Sequence, residues 1–149
     1  MHILVLNGPN LNLLGVREPE HYGTQTYADL VRMIEEEASA LGVTAECRQT
    51  NHEGDLVDWI QQARGTADGI VINPAAYTHT SVAILDAVKA VQIPTVEVHI
   101  SDPDTRDEFR RISYIRAACI ETVKGMGLAG YIRALRVLTA YLKQQNPAT

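Results

Sequence analysis

Gly69-Ile70-Val71-Ile72-Asn73-Pro74-Ala75-Ala76-Tyr77-Thr78-His79-Thr80-Ser81 is the stretch whose reading decides the fold. Its apolar start reads as a short buried strand, which Pro74 stops. A polar turn follows. Val82, Leu85, Ala87 and Val91 then keep the spacing of a helix.

The same unit recurs on both sides. Upstream, Ile3 to Leu6 is an apolar run ended by Asn7-Gly8-Pro9-Asn10. Thr26 is placed to cap a helix, with Asp29 in its first turn. Leu30, Ile34, Ala38 and Leu41 continue that helix, and Gly42 ends it. Val43, Ala45 and Cys47 alternate with polar residues, as in a half-buried edge strand. Leu56, Trp59, Ile60 and Ala63 mark a second helix, closed by Gly65.

Downstream, Pro94 opens the strand Thr95-Val96-Glu97-Val98. The charged segment Asp104 to Ser113, with Phe109, reads as a short helix. Ala117 to Val123 reads as a fifth strand, and Gly127 to Leu142 as a long amphipathic helix. Alternating strands and helices predict an α/β domain, a parallel sheet covered by helices on both faces. No linker or repeat divides the chain, so one domain is expected over 1–149.

The 149 residues suffice for a hydrophobic core without metal or disulfide staples. The net charge of −5 argues against broad nucleic-acid binding. Arg106, Arg110, Arg111 and Arg116 nevertheless crowd one stretch. They suit a small anionic ligand, or equally a solvated helix face paired with Asp107 and Glu108. Cys47 and Cys119 sit in apolar runs and read as two buried thiols. The opening Met1-His2-Ile3-Leu4-Val5-Leu6 is too short to cross a membrane and is no signal peptide, so a cytoplasmic protein is expected.

Open parallel sheets bind ligands beyond the carboxyl ends of their strands. Three such ends are polar here: Asn7 to Asn12, Asn73 to Ser81, and His99-Ile100-Ser101. The Gly8 to Gly15 segment lacks the spacing of a dinucleotide loop, and no P-loop or nucleophile elbow occurs. His52, His79 and His99 lack the spacing of a zinc helix. Acid–base chemistry without a cofactor remains, with His79 and His99 as candidates. Taken singly, a histidine is more often structural. Tyr22 lies in the Gly8 to Thr24 loop, which is bounded by Gly15 and Gly23 and could act as a lid. Alone it reads as a packing anchor, but Arg17 in the same loop would favour its phenolate form.

Three motifs carry a family resemblance. The first is Asn7-Gly8-Pro9-Asn10-Leu11-Asn12-Leu13-Leu14-Gly15 with Arg17-Glu18-Pro19 and Tyr22-Gly23. The second is Asn73 to Ser81. The third is Glu97-Val98-His99-Ile100-Ser101 with Arg106, Glu108-Phe109-Arg110 and Ser113. Together with Gly125, Gly127, Gly130 and Tyr131, they closely resemble the type II 3-dehydroquinate dehydratases over nearly the whole chain.

That resemblance implies a flavodoxin-like three-layer sandwich with strand order 2-1-3-4-5. It implies dehydration of 3-dehydroquinate to 3-dehydroshikimate, in the shikimate pathway or in quinate breakdown, with no metal or cofactor. By matching positions, Tyr22 would take the C2 proton and Arg17 would hold its phenolate. Asn10 would place a water on the enolate, and His99 would protonate the departing hydroxyl. Asn73, His79, Ile100, Ser101 and Arg110 would hold the substrate, and Arg106 would shape the lid. Asp86 would reach a neighbouring subunit's site in a homododecamer built as a tetramer of trimers. Leu85, Ile112 and Glu121 depart from the family pattern, where Arg, His and a small residue are common. They bear on subunit contacts rather than on chemistry.

Two other classes compete with an enzyme. A flavodoxin-like binding module would sequester a small anion or a flavin without reacting it. A receiver-like signalling domain would need an acidic residue where this chain has Asn73.

Overall fold

The structure, a computed structural model, describes residues 1–16, 20 and 23–147. Arg17 and Tyr22 therefore lie outside the described residues. The strands are β1 (His2–Asn7), β2 (Thr44–Gln49), β3 (Gly69–Asn73), β4 (Thr95–Val98) and β5 (Glu121–Val123). The α-helices are α1 (Tyr27–Leu41), α2 (Glu53–Gln62), α3 (Val82–Val91) and α4 (Ala129–Gln145).

All strand pairs are parallel, in the order β2-β1-β3-β4-β5. The expected flavodoxin-like α/β sandwich is what forms. Successive side chains of a strand point to opposite faces, which sorts the core into two layers. Ile3, Val5 and Val71 pack with Leu30 and Ile34 of α1 and Leu135 and Leu138 of α4. Leu4, Leu6, Ile70 and Ile72 pack with Leu56 and Ile60 of α2 and Ile84 and Val88 of α3. Burying each such aliphatic side chain contributes about 1.5–3 kcal/mol.

The helix ends follow local chemistry. Thr26 and Asp29 form a reciprocal capping box at α1, and Gly42 ends that helix at φ 73°. The Ser81 hydroxyl accepts the Ile84 N–H at 2.9 Å and so starts α3 beside the polar turn.

Three sequence expectations are corrected. The charged segment is not one helix. It forms two short 3₁₀ turns, Pro103–Thr105 and Glu108–Arg111, separated where Asp107 is extended. The segment has no apolar stripe to bury, and Phe109 stays 64% exposed. The fifth strand also spans only Glu121–Val123, because the four residues of β4 offer a ladder no longer than Val96↔Glu121 to Val98↔Val123. Ile115–Ala118 ahead of it is another 3₁₀ turn, with Ile115 buried. Cys119 therefore lies outside any strand. It and Cys47 are unpaired and half-buried rather than buried. No described helix is long and apolar enough to cross a membrane.

Candidate active site

The carboxyl ends of β1, β3 and β4 open into one cleft. Its lining includes Asn10, Asn73, His79, His99, Ile100, Ser101, Arg106 and Arg110. Eight of the residues expected from the sequence thus meet, drawn from segments far apart in the chain. Asp86 does not join them; it is exposed on α3. Arg111 and Arg116 do not line the cleft either, so the basic run divides between site and scaffold.

The two loops that carry Asn10 and Asn73 are bound tightly to each other. The Gly8 N–H donates to Asn73 O at 2.8 Å, and a Cβ on Gly8 would stand 2.4 Å from Pro74 O. Only glycine permits that approach. Asn10 then turns into the left-handed region at φ 71°, which asparagine tolerates better than most residues. Its N–H donates to Asn51 Oδ1 at 3.0 Å. Gln49 Nε2 donates to Gly8 O at 3.2 Å, to Asn51 Oδ1 at 3.2 Å and to Asn12 Oδ1 at 3.3 Å. Ala75 holds φ 54°, a strained value for a residue with a Cβ. Its N–H donates to Asn73 Oδ1 at 3.0 Å, so the turn is fastened to the asparagine it follows.

His99 follows β4 and is nearly buried, at 7% exposure. Its Nε2 lies 2.5 Å from Oε2 of Glu97, which is fully buried. Three other groups donate to the same carboxylate: Ser113 Oγ at 2.6 Å, Thr122 Oγ1 at 2.9 Å and Arg116 Nε at 3.4 Å. Burial alone would raise the Glu97 pKa. The hydrogen bond and charge of His99, with Ser113 and Thr122, outweigh it and bring it to about 2. A carboxylate ionised in that way only accepts, so His99 must donate from Nε2. The ring's Nδ1 is left to exchange a proton with a ligand.

His79 has the opposite arrangement. Its Nδ1 lies 2.7 Å from Ile112 O, a carbonyl that can only accept. Burial holds its pKa below the ordinary value, more strongly than that hydrogen bond raises it. The neutral ring with Nδ1–H presents Nε2 as an acceptor. Ile100 lines the cleft with its side chain buried at 4% exposure, so the polar contact it can offer a ligand is its backbone. Arg106 and Arg110 add positive charge at the rim, with the Arg110 guanidinium 5.1 Å from the Phe109 ring centroid.

Taken together, the site offers a fixed proton donor, a neutral acceptor, an amide and two guanidiniums. Such a set suits a small polyhydroxylated carboxylate. Sequence reasoning missed Glu97 as a site residue. Its signal was a charge inside an apolar strand, two residues before His99 and hence on the same face. Asn7 and Tyr131, which hydrogen-bond behind the cleft, stood in the motifs but received no role. A tyrosine on a packed helix looks like any core aromatic, so the spacing of Tyr131 did not disclose its polar partners.

The family model described as dehydroquinase class II matches residues 1–139. A 3-dehydroquinate dehydratase of Dinoroseobacter shibae is 50% identical over 148 residues, covering 99% of each chain. One from Rhodopseudomonas palustris is 55% identical over 141 residues, covering 94% of this chain and 93% of its own. The crystal structure of a type II dehydroquinase from Butyrivibrio crossotus superposes with a TM-score of 0.91 at 51% identity. That match covers 93% of this chain and 97% of the other.

Proposed function

The chain belongs to the class II dehydroquinase family, and from that membership together with the cleft we infer its reaction: it removes water from 3-dehydroquinate to give 3-dehydroshikimate. It serves the shikimate pathway or the breakdown of quinate. The observation that carries this reading is the His99–Glu97 pair at the end of β4, which supplies an oriented acid in a cleft of carboxylate- and hydroxyl-binding groups.

The elimination runs anti, through an enolate. Tyr22, as a phenolate favoured by Arg17, takes the C2 proton, and the electron pair moves into the C3 carbonyl. Both assignments rest on the family motif. A water held by Asn10 donates to the enolate oxygen, where the charge develops. The enolate then collapses to form the C1–C2 double bond. The C1 hydroxyl leaves as water with the proton from His99 Nδ1, while Glu97 keeps its hold on Nε2–H. The proton on Tyr22 returns to solvent and His99 is recharged, which closes the cycle.

Asn73, His79, Ser101 and the Ile100 backbone hold hydroxyls and carboxylate. Arg110 binds the carboxylate and Arg106 helps close the lid. These side chains suffice for the chemistry, so no metal or cofactor is called for. A module that only bound an anion would have no use for an acid held by a buried, four-times-bonded carboxylate.

One domain over 1–149 carries the activity. Twelve copies assemble as a tetramer of trimers, in which Asp86, exposed on α3, reaches a neighbour's cleft. The two unpaired cysteines fit the cytoplasm. A test is to supply 3-dehydroquinate with deuterium at C2 on the side opposite the C1 hydroxyl. The enone product should appear without the label. Product that keeps the label would contradict the anti course, and the absence of product would contradict the reaction.

A further inference from the structure

Asn7 and Asn73 end the neighbouring strands β1 and β3 and sit opposite each other in register. Both are buried, at 0% and 3% exposure. Tyr131 of α4 lies behind them, fully buried. Its hydroxyl donates to Asn7 Oδ1 at 2.6 Å and accepts from Asn73 Nδ2 at 2.9 Å.

The direction of each bond is fixed. Asn73 Oδ1 is taken by the Ala75 N–H, so the atom facing Tyr131 must be Nδ2. Tyr131 therefore accepts there, and its one proton goes to Asn7. Flipping the Asn73 amide would lose both bonds. One Nδ2 hydrogen remains, with no protein acceptor among the described residues, on a side chain that lines the cleft.

We propose that Tyr131 is a positioning residue for substrate binding: with the Ala75 N–H on Oδ1, its hydroxyl holds the Asn73 amide at both ends so that an N–H, and not a carbonyl oxygen, faces the ligand. The proposal rests on the reading of the cleft given above and adds a polarity to it. Asn73 then donates while His79 Nε2 accepts. A ligand hydroxyl can satisfy either group, whereas a ketone oxygen can serve Asn73 alone.

The test uses Tyr131→Phe, which keeps the ring and removes the hydroxyl. KM for 3-dehydroquinate should rise roughly tenfold, the effect of misdirecting one oriented hydrogen bond, with kcat little changed. In an Asn73→Ala background the same substitution should raise KM no further, because the group it orients is gone. A role in packing alone predicts lower stability with KM unmoved, or an additive effect in that background; either result overturns the proposal.

A second readout needs no substrate. The Asn73 side-chain amide signals in a 15N–1H spectrum should shift in Tyr131→Phe, and unchanged signals would overturn the proposal. If the wild-type chain fails to turn over 3-dehydroquinate, the functional reading falls and the amide signals alone decide this one. Should Tyr131→Phe not fold, Asn7→Ala carries the same expectation. It removes the acceptor of the phenol proton, which can then turn against the Asn73 N–H and weaken the bond that holds the amide.

Discussion

Glu97 Oε2 and His99 Nε2 stand 2.5 Å apart, two residues from each other at the end of β4, with the carboxylate fully buried and the imidazole open to the cleft. The strand's period of two puts both side chains on one face. The carboxylate thus fixes the ring by backbone geometry as well as by charge.

Glu97→Gln keeps the shape and removes the charge. Its amide nitrogen would also set N–H groups against two of the four donors, either His99 and Ser113 or Thr122 and Arg116. We expect kcat to fall by roughly 10²–10³, within the usual worth of a positioned general acid. Folding stability should drop by about 3 kcal/mol, as when a buried ion pair loses one partner. Steady-state kinetics and urea unfolding measure the two effects. A loss of stability with unchanged kcat would show that the pair is structural only.

The same carboxylate shapes stability at low pH. Its pKa falls from 4.5 to about 2 on folding. The stabilisation is present above about 4.5 and is lost as pH falls toward about 2. Burial pushes the Cys47 and Cys119 thiols the other way, from 9.0 up to about 12. Their contribution is present below about 9 and fades as pH rises toward 12. Unfolding followed across pH should give a plateau with two falling limbs, and Glu97→Gln should flatten the acid limb alone.

His79 should titrate below 6.5, since burial depresses its pKa despite the Ile112 carbonyl. An NMR titration of its ring reads this directly, and a midpoint above 6.5 would contradict the neutral-acceptor assignment. His79→Phe should raise KM about tenfold through one lost hydrogen bond and change kcat less.

Gly8→Ala would force a Cβ to within 2.4 Å of Pro74 O, a backbone atom that cannot swing aside. We expect a loss of roughly 3 kcal/mol, as for overpacking at a rigid contact, and a marked loss of activity as the Asn10 and Asn73 loops part. Wild-type stability in this variant would contradict the close approach.

Much of this was legible because the signals are local. The apolar runs Ile3 to Leu6 and Gly69 to Asn73, the Thr26–Asp29 cap and Gly42 each report on their own segment. The polar strand ends marked the cleft because a parallel sheet brings such ends together. Tertiary context decided the rest. β5 is short because β4 is short, and the Asp104 to Ser113 segment breaks into turns because Phe109 finds no apolar core to enter and stays largely exposed. Beyond its neighbour His99, Glu97 is held by groups 16 to 25 residues away, and Tyr131 acts on Asn73 and Asn7, 58 and 124 residues away, ranges no local pattern encodes. The roles of Arg17 and Tyr22 come from the motif, as both lie outside the described residues.

The most direct test of the account is the ultraviolet absorbance of the purified chain mixed with 3-dehydroquinate, with Tyr22→Phe and His99→Ala alongside. Dehydration creates a conjugated enone that absorbs where the substrate does not. We expect a steady rise with the wild type, almost none with Tyr22→Phe, and a rise slowed by roughly 10²–10⁴ with His99→Ala, the range for loss of a general acid. A folded wild-type chain that produces no rise would contradict it.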